Sequence, residues 1–457
     1  MTSRDSQSAA ERCRVQATRR IHPKTPAPEP TISKLSIIDA TVARFTPTAA
    51  IWLYDKTDNV QLTYPSLFET VGSALSETLD DVPHFAGQIQ WAAQEMVKHN
   101  PVRRHLGRLV VSHGSPKDPG VELIIAEYDA NLDQVVPSRN DRGTNLKEWN
   151  ASNFQQSDLL PNTKIALSSL DMIEGLPSMA IQLMAFRCGG IGISVMIAHP
   201  LADAACLMTF MNSWAARSRA LLHPESMSGN SQILKPVFDP SLLDQAAQLR
   251  DGGAPDSTKI QKARSLPMHR FDWWAEDAPG FPSGTKSATQ ATMPSAEEMD
   301  NTQLTHVWTL INRARGLQDT QDNVYLDITL GLRQRVSPPL PETFVGSPLL
   351  LGFVEKTGTE ASTPELGPVA GAIRNKMDMF TPDAVAAYIH DAAQTYELDF
   401  FGTQQEARYV QGVMPKIDGL VQVMDVADTG DFDVSICIQR EAMERLLSDP
   451  LLRKYES

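Results

Sequence analysis

The chain has 457 residues, 42% of them hydrophobic and 21% charged, with a formal net charge of −14 at pH 7. That length provides for two domains, or one large one, with ample core, and the ordinary composition excludes a fibrous or low-complexity protein. The acidic balance argues against a general nucleic-acid binder and requires a local basic patch for any polyanionic ligand.

Four cysteines, Cys13, Cys188, Cys206 and Cys437, lie far apart with no C-x-x-C pair. That excludes a standard zinc cluster, offers no disulfide framework and fits a reducing cytoplasm. No apolar run has the length to span a bilayer, so no membrane partner is expected. Residues 1–20 carry Arg4, Arg12, Arg14, Arg19 and Arg20 without an apolar h-region. They read as a disordered leader rather than a secretory signal.

Residues 21–39 begin as a Pro-rich extended segment and finish as a short strand carrying Asp39. A buried strand is expected at Ala49–Asp55, and Leu67, Val71, Ala74, Leu75 and Leu79 mark an amphipathic helix over 65–79. Strands follow at 107–111 and 121–127. Residues 179–187 and 191–198 read as a hairpin about a Cys-Gly-Gly turn. These alternating elements indicate an α/β or α+β domain over about 33–220.

The hairpin delivers the candidate site. The stretch CGGIGISVMIAHPLADA, Cys188–Ala204, runs through a buried strand into His199, turns at Pro200, and reaches Asp203 four residues after the histidine. Beyond it Ala204, Leu207, Met208, Met211 and Ala215 carry a helical period. A histidine ejected from a strand end is rigidly held, yet its ring projects beyond the sheet, where a general base is wanted. The spacing alone carries no weight, since about one H-x-x-x-D is expected by chance here.

Residues 223–300 are rich in Pro, Gly, Ser, Asp and Gln and read as a long connection. Inside it MHRFDWW, Met268–Trp274, is an aromatic island, with Trp273 and Trp274 expected to pack the connection onto a domain. Order resumes with a helix over 295–316. Strands at 324–332 and 348–354 and helices at 366–380 and 382–394 come next. Strands at 408–413, 419–424 and 431–438 lead to a last helix at 440–447.

Taken in order, several stretches resemble the BAHD family of acyl-CoA-dependent acyltransferases, closest to its fungal branch, which includes trichothecene 3-O-acetyltransferase. They are the Pro-rich opening followed by LSIID at 35–39, the block with His199 and Asp203, KPVFDPSLL at 235–243, LTHVWTLINRAR at 304–315 and LGLRQRVSPPLPETFVGSP at 330–348. The resemblance runs from about residue 18 to the end. It departs from the family pattern at Asp399–Thr403, DFFGT in place of D-F-G-W-G, at Ala204 in place of Gly, and at Gly346-Ser347 in place of Gly-Asn.

The resemblance implies an α/β (α+β) fold of two chloramphenicol-acetyltransferase-like domains, each a mixed sheet with flanking helices, joined by a long crossover. The expected division is a leader at 1–20, an N-terminal domain at 21–222, a crossover at 223–300 and a C-terminal domain at 301–457. His199 is then the general base of a direct transfer with no acyl-enzyme, from acyl-CoA to a hydroxyl or amine of a small secondary metabolite. Asp203 supports the catalytic loop through a salt bridge, and Asp399 pairs with Arg333 or Arg335. Arg333, Arg335 and Arg374, with Arg313, Arg315 and Lys376, are the candidate cations for coenzyme A. Thr403 or backbone N–H groups are candidates for the oxyanion. No permanently bound cofactor or metal is expected, and the family is usually monomeric. Rival readings are an intramolecular cyclisation, a carrier-bound condensation or a catalytically silent binder. Ala198 stands where condensation domains carry a second histidine, which disfavours the condensation.

Overall fold

The computed structural model describes residues 12–56, 64–91, 109–138, 154–168, 173–222, 235–247, 256–270, 301–398, 418–426 and 431–453. The chain divides into two compact units. The first runs to Ser241 and takes in Pro341–Ser347; the second includes Leu242–Leu340 and resumes at Pro348.

In the first unit the strands are β1 (Cys13–Ile21), β2 (Thr31–Lys34), β3 (Thr48–Tyr54), β4 (Gln88–Trp91), β5 (Leu109–His113), β6 (Val121–Tyr128), β7 (Met179–Phe186) and β8 (Ile191–Ile197). Five form a mixed sheet in the order β1-β6-β7-β8-β3, and β2-β5-β4 form a small second one. β7 lies inside the larger sheet, parallel to β6 and antiparallel to β8. A strand covered on both faces reads as a continuous apolar run, which is why MAIQLMAF lacks alternation.

The two faces nonetheless serve different cores. Ile181, Leu183, Val195 and Ile197 pack with Leu75, Leu79, Phe85 and Trp214, whereas Met184 and Phe186 pack with Tyr128, Leu132 and Leu159. Gln182 and Ser194 point to the second face, and both donate to the Leu159 carbonyl, at 3.1 and 2.7 Å. The β7–β8 turn uses Gly189 at φ +91°, a conformation that costs glycine little. The helices Tyr64–Leu79 and Ala204–Leu222 pack together, joined by a hydrogen bond from Trp214 Nε1 to the Val71 carbonyl at 2.9 Å.

Two expectations are corrected here. Cys13–Ile21, placed in a disordered leader through residue 20, is an edge strand antiparallel to β6. Its arginines face carboxylates distant in sequence: Arg14 to Glu127 at 2.8 Å, Arg19 to Glu69 at 2.5 Å and Arg20 to Glu122 at 2.9 Å. Lysine, arginine and other charges are what an edge strand carries to blunt unwanted pairing.

The second correction is at 35–39. The apolar run suggested a strand, but Ser36 caps a helix over Ile37–Thr41 in a reciprocal box: Asp39 N–H donates to Ser36 Oγ at 3.0 Å, and Ser36 N–H donates to Asp39 Oδ2 at 3.0 Å.

The second unit holds β9 (Met268–His269), β10 (Asn323–Gly331), β11 (Leu349–Thr357), β12 (Leu420–Val426) and β13 (Asp431–Cys437). β10-β11-β9 form one sheet and β12-β13 another. Trp308 of the helix Asn301–Ala314 packs with Val354, Val369, Ala372 and Ile373. Ala442 and Leu446 of the helix Arg440–Ser448 pack with Leu310 and Ala314.

The region expected as a bare connection therefore supplies a strand, because Met268 and His269 pair with Gly352 and Leu351. The next residue, Arg270, lies over the Tyr388 ring at 4.6 Å and donates to Asp391 Oδ2 at 2.9 Å. Trp273, Trp274 and the strand expected at 408–413 lie outside the described residues. Pro341–Ser347, expected within the C-terminal domain, joins the first unit. There Val237 N–H donates to the Thr343 carbonyl at 3.0 Å, and Val345 N–H donates to the Val237 carbonyl at 2.8 Å. Among the described residues no helix is long and apolar enough to cross a membrane.

Candidate active site

His199 follows β8 two residues after its last paired position, Ile197, in a short turn His199–Leu201 that precedes the helix Ala204–Leu222. The turn is pinned on both sides. Ala198 N–H donates to the Ser178 carbonyl at 2.9 Å, and Thr48 Oγ1 donates to the Ala202 carbonyl at 2.6 Å. The apolar strand thus sets where the imidazole starts, and the turn sets where it points.

The ring sits edge-on to Phe45, with centroids 5.4 Å apart and planes at 85°. Nδ1 lies 2.9 Å from Ser347 Oγ. Nε2 makes no hydrogen bond among the described residues. Burial pushes the His199 pKa down to about 4, against the opposing pull of a hydrogen bond to its own backbone and of the Asp203 carboxylate. The imidazole is therefore neutral over the physiological range.

Asp203 is built into the start of the next helix. Its Oδ1 accepts from Cys206 N–H at 2.8 Å and its backbone carbonyl accepts from Leu207 N–H at 2.9 Å, so it caps the following helix. Its own N–H donates to the Gly346 carbonyl at 3.1 Å. The loop after β8 and the segment Pro341–Ser347 are tied together at that point.

The residues that sequence reasoning passed over are Ser347, Asp39 and Phe45. Ser347 is fully buried, and its N–H donates to Asp39 Oδ1 at 2.8 Å. The available signals were the Gly346-Ser347 substitution and the Ser36-x-x-Asp39 capping spacing. Neither by itself points to His199.

The candidate cations belong to the second unit. Arg335 donates to the carbonyls of Met377 and Phe380, at 2.9 and 3.4 Å, at the end of the helix Leu366–Asp378. That is a favourable place for a cation, although burial pushes its pKa down. Arg313 pairs with Asp449 at 2.7 Å and Arg315 with Asp418 at 2.9 Å. Arg374 and Lys376 lie on that same helix, and Arg333 precedes the Pro-Pro loop. Thr403 and Asp399 lie outside the described residues.

His199, at a strand end with Nδ1 beside Ser347 Oγ and no hydrogen bond at Nε2 among the described residues, is the candidate site. Residues 120–395 match the model of the Transferase family, and the chain belongs to that family, the BAHD acyl-CoA-dependent acyltransferases. The chain is 25% identical over 393 residues to acyltransferase AFT15-1 of Alternaria alternata, covering 76% of this chain and 73% of that protein. It is 23% identical over 410 residues to acyltransferase abl6 of Leptosphaeria maculans, covering 83% and 79%. Its fold is shared with F. graminearum TRI101, solved in complex with coenzyme A and T-2 mycotoxin. That match has a TM-score of 0.59 and 14% identity, and it covers 93% of this chain and 99% of that one.

Proposed function

We propose that this protein transfers an acyl group from acyl-CoA directly to a hydroxyl or amine of a small secondary metabolite, with His199 as general base. The observation that carries this reading is the His199 imidazole itself, neutral, anchored through Nδ1 and without a hydrogen bond at Nε2 among the described residues. Nε2 takes the proton of the acceptor as its oxygen or nitrogen attacks the thioester carbonyl. The tetrahedral intermediate collapses by breaking the C–S bond, and the imidazolium returns the proton to the departing thiolate. The acyl group is already activated as a thioester, so no enzyme nucleophile is required.

The relatives support the substrate class: two are named acyltransferases, and TRI101 was solved with coenzyme A together with T-2. Asp203 takes a structural part, as the helix cap described above. Arg333 and Arg374 are the cations we assign to the coenzyme A phosphates, with Arg335 holding the helix end beside them in sequence. Thr403 is the side chain we assign to the oxyanion, and a double-digit loss of turnover in Thr403→Ala tests it. The four free cysteines fit a cytoplasmic enzyme.

The deciding experiment measures free-thiol release from a panel of acyl-CoAs, acetyl to cinnamoyl, with alcohol and amine acceptors. Wild type should release thiol, and His199→Ala should lose about 10²–10⁴-fold in turnover. Full turnover by a folded His199→Ala protein would overturn the assignment.

A further inference from the structure

We propose that Ser347 is the positioning residue of the catalytic base: its hydroxyl, held in place by Asp39, accepts the Nδ1 proton of His199 and so reserves Nε2 for the acceptor's proton. The inference rests on the general-base reading above and adds to it a side chain that, together with the ring's hydrogen bond to its own backbone, fixes tautomer and ring orientation.

The geometry leaves Ser347 little freedom. It is fully buried, its Oγ lies 2.9 Å from His199 Nδ1, and its N–H is bound to Asp39 Oδ1 at 2.8 Å. Asp39 is itself fully buried, and Ser36 Oγ donates to its Oδ2 at 2.6 Å. Next to Ser347, the Gly346 carbonyl accepts from Asp203 N–H at 3.1 Å. The serine is thus fixed from Asp39 on one side and from the catalytic loop on the other.

Two directions are open to a hydrogen bond between a hydroxyl and an imidazole nitrogen. If Ser347 donated to Nδ1, the ring proton would sit on Nε2, and that nitrogen would have no lone pair for an incoming proton. A base acting through Nε2 requires the other tautomer, with Nδ1–H donating to Ser347 Oγ. When His199 takes the acceptor's proton, the same bond stays in place and favours the imidazolium. A nucleophilic role is disfavoured by the burial of Ser347, since an attacking hydroxyl must meet the thioester carbonyl.

The test combines kinetics with spectroscopy. In wild-type protein labelled with ¹⁵N-histidine, the His199 resonances should show a protonated Nδ1 and an unprotonated Nε2; the reverse tautomer overturns the proposal without any mutant. Ser347→Ala should lower kcat about tenfold with KM nearly unchanged, and it should move the acid limb of the pH–rate profile to lower pH. Ser347→Thr, which keeps the hydroxyl, should recover most of the rate. Wild-type kinetics in Ser347→Ala, or an acyl adduct on Ser347 by mass spectrometry, overturns the proposal. His199→Ala assayed alongside separates the two readings. Loss there with no effect of Ser347→Ala sinks the positioning role alone, whereas full activity there sinks the base and the positioning role together.

Discussion

The backbone N–H of Ser347 donates to Oδ1 of Asp39 at 2.8 Å, joining residues 308 positions apart. The other carboxylate oxygen accepts from the N–H and the hydroxyl of Ser36, at 3.0 and 2.6 Å. A carboxylate with no exposure is costly to bury unless its oxygens are satisfied, and here both are. One side chain therefore caps a helix and anchors the segment that touches His199.

Asp39→Ala should consequently be expensive. It removes the capping box and leaves the Ser347 N–H without its acceptor, for a combined cost of about 3 kcal/mol. Asp39→Asn retains a carbonyl oxygen and should cost less. Urea denaturation midpoints of the two variants test the order, and equal midpoints would refute it.

The pH dependence follows from His199. Burial depresses its pKa to about 4, and a base works in its neutral form, so kcat/KM should hold on acidification well below about 6.5, the ordinary imidazole value. Its acid limb should appear toward pH 4. Stability moves in the same direction. Between about 6.5 and 4 the unfolded chain binds this proton and the folded one does not, so stability is complete above the window and declines as pH falls through it. Thermal melts across that range should show the decline, and His199→Gln should reduce it. An acid limb near 6.5 would mean that the ring is solvated.

Gly346 occupies φ +149°, and an added Cβ would lie 2.9 Å from Phe344 Cε1 and 3.2 Å from Asp39 Oδ1. Gly346→Ala should cost about 1–3 kcal/mol from strain and should lower turnover by displacing Ser347. Gly331→Ala is the control, because a Cβ there meets nothing within 4 Å. Melting temperatures of the pair, compared with turnover, check both halves of the expectation.

In the second unit Asp391 is 1% exposed and takes Arg270 at 2.9 Å and Arg264 at 3.4 Å. Arg270→Ala should cost about 3–5 kcal/mol, since it removes one partner of a buried pair. Arg264 is a third exposed, so Arg264→Ala should cost about 1 kcal/mol or less. Chemical denaturation of both variants would reveal a reversed order if this account were wrong.

Much of the site was legible because its makers are near neighbours. The β7–β8 hairpin follows from two apolar runs about a glycine turn, and Ala204–Leu222 follows from a helical period. His199 and Asp203 sit between them. The failures share a different cause. The arginines at 14–20 looked like a leader because Glu69, Glu122 and Glu127, which make them an edge strand, lie at least fifty positions away. The run at 35–39 looked like a strand because apolar content outweighed a single capping spacing.

The sequence by itself determined the alternation of strands and helices, the strand–turn–helix that presents the histidine, and the family, because each depends on periodicity and on short ordered motifs. Only the tertiary structure decided what holds that histidine. Ser347 stands 148 residues from His199 and Asp39 stands before both. Their meeting depends on Pro341–Ser347 packing back onto the first unit, through the Val237 hydrogen bonds and the burial of Asp39. No local pattern encodes such a contact, since its energy comes from satisfying buried polar groups that become neighbours only once the chain has folded.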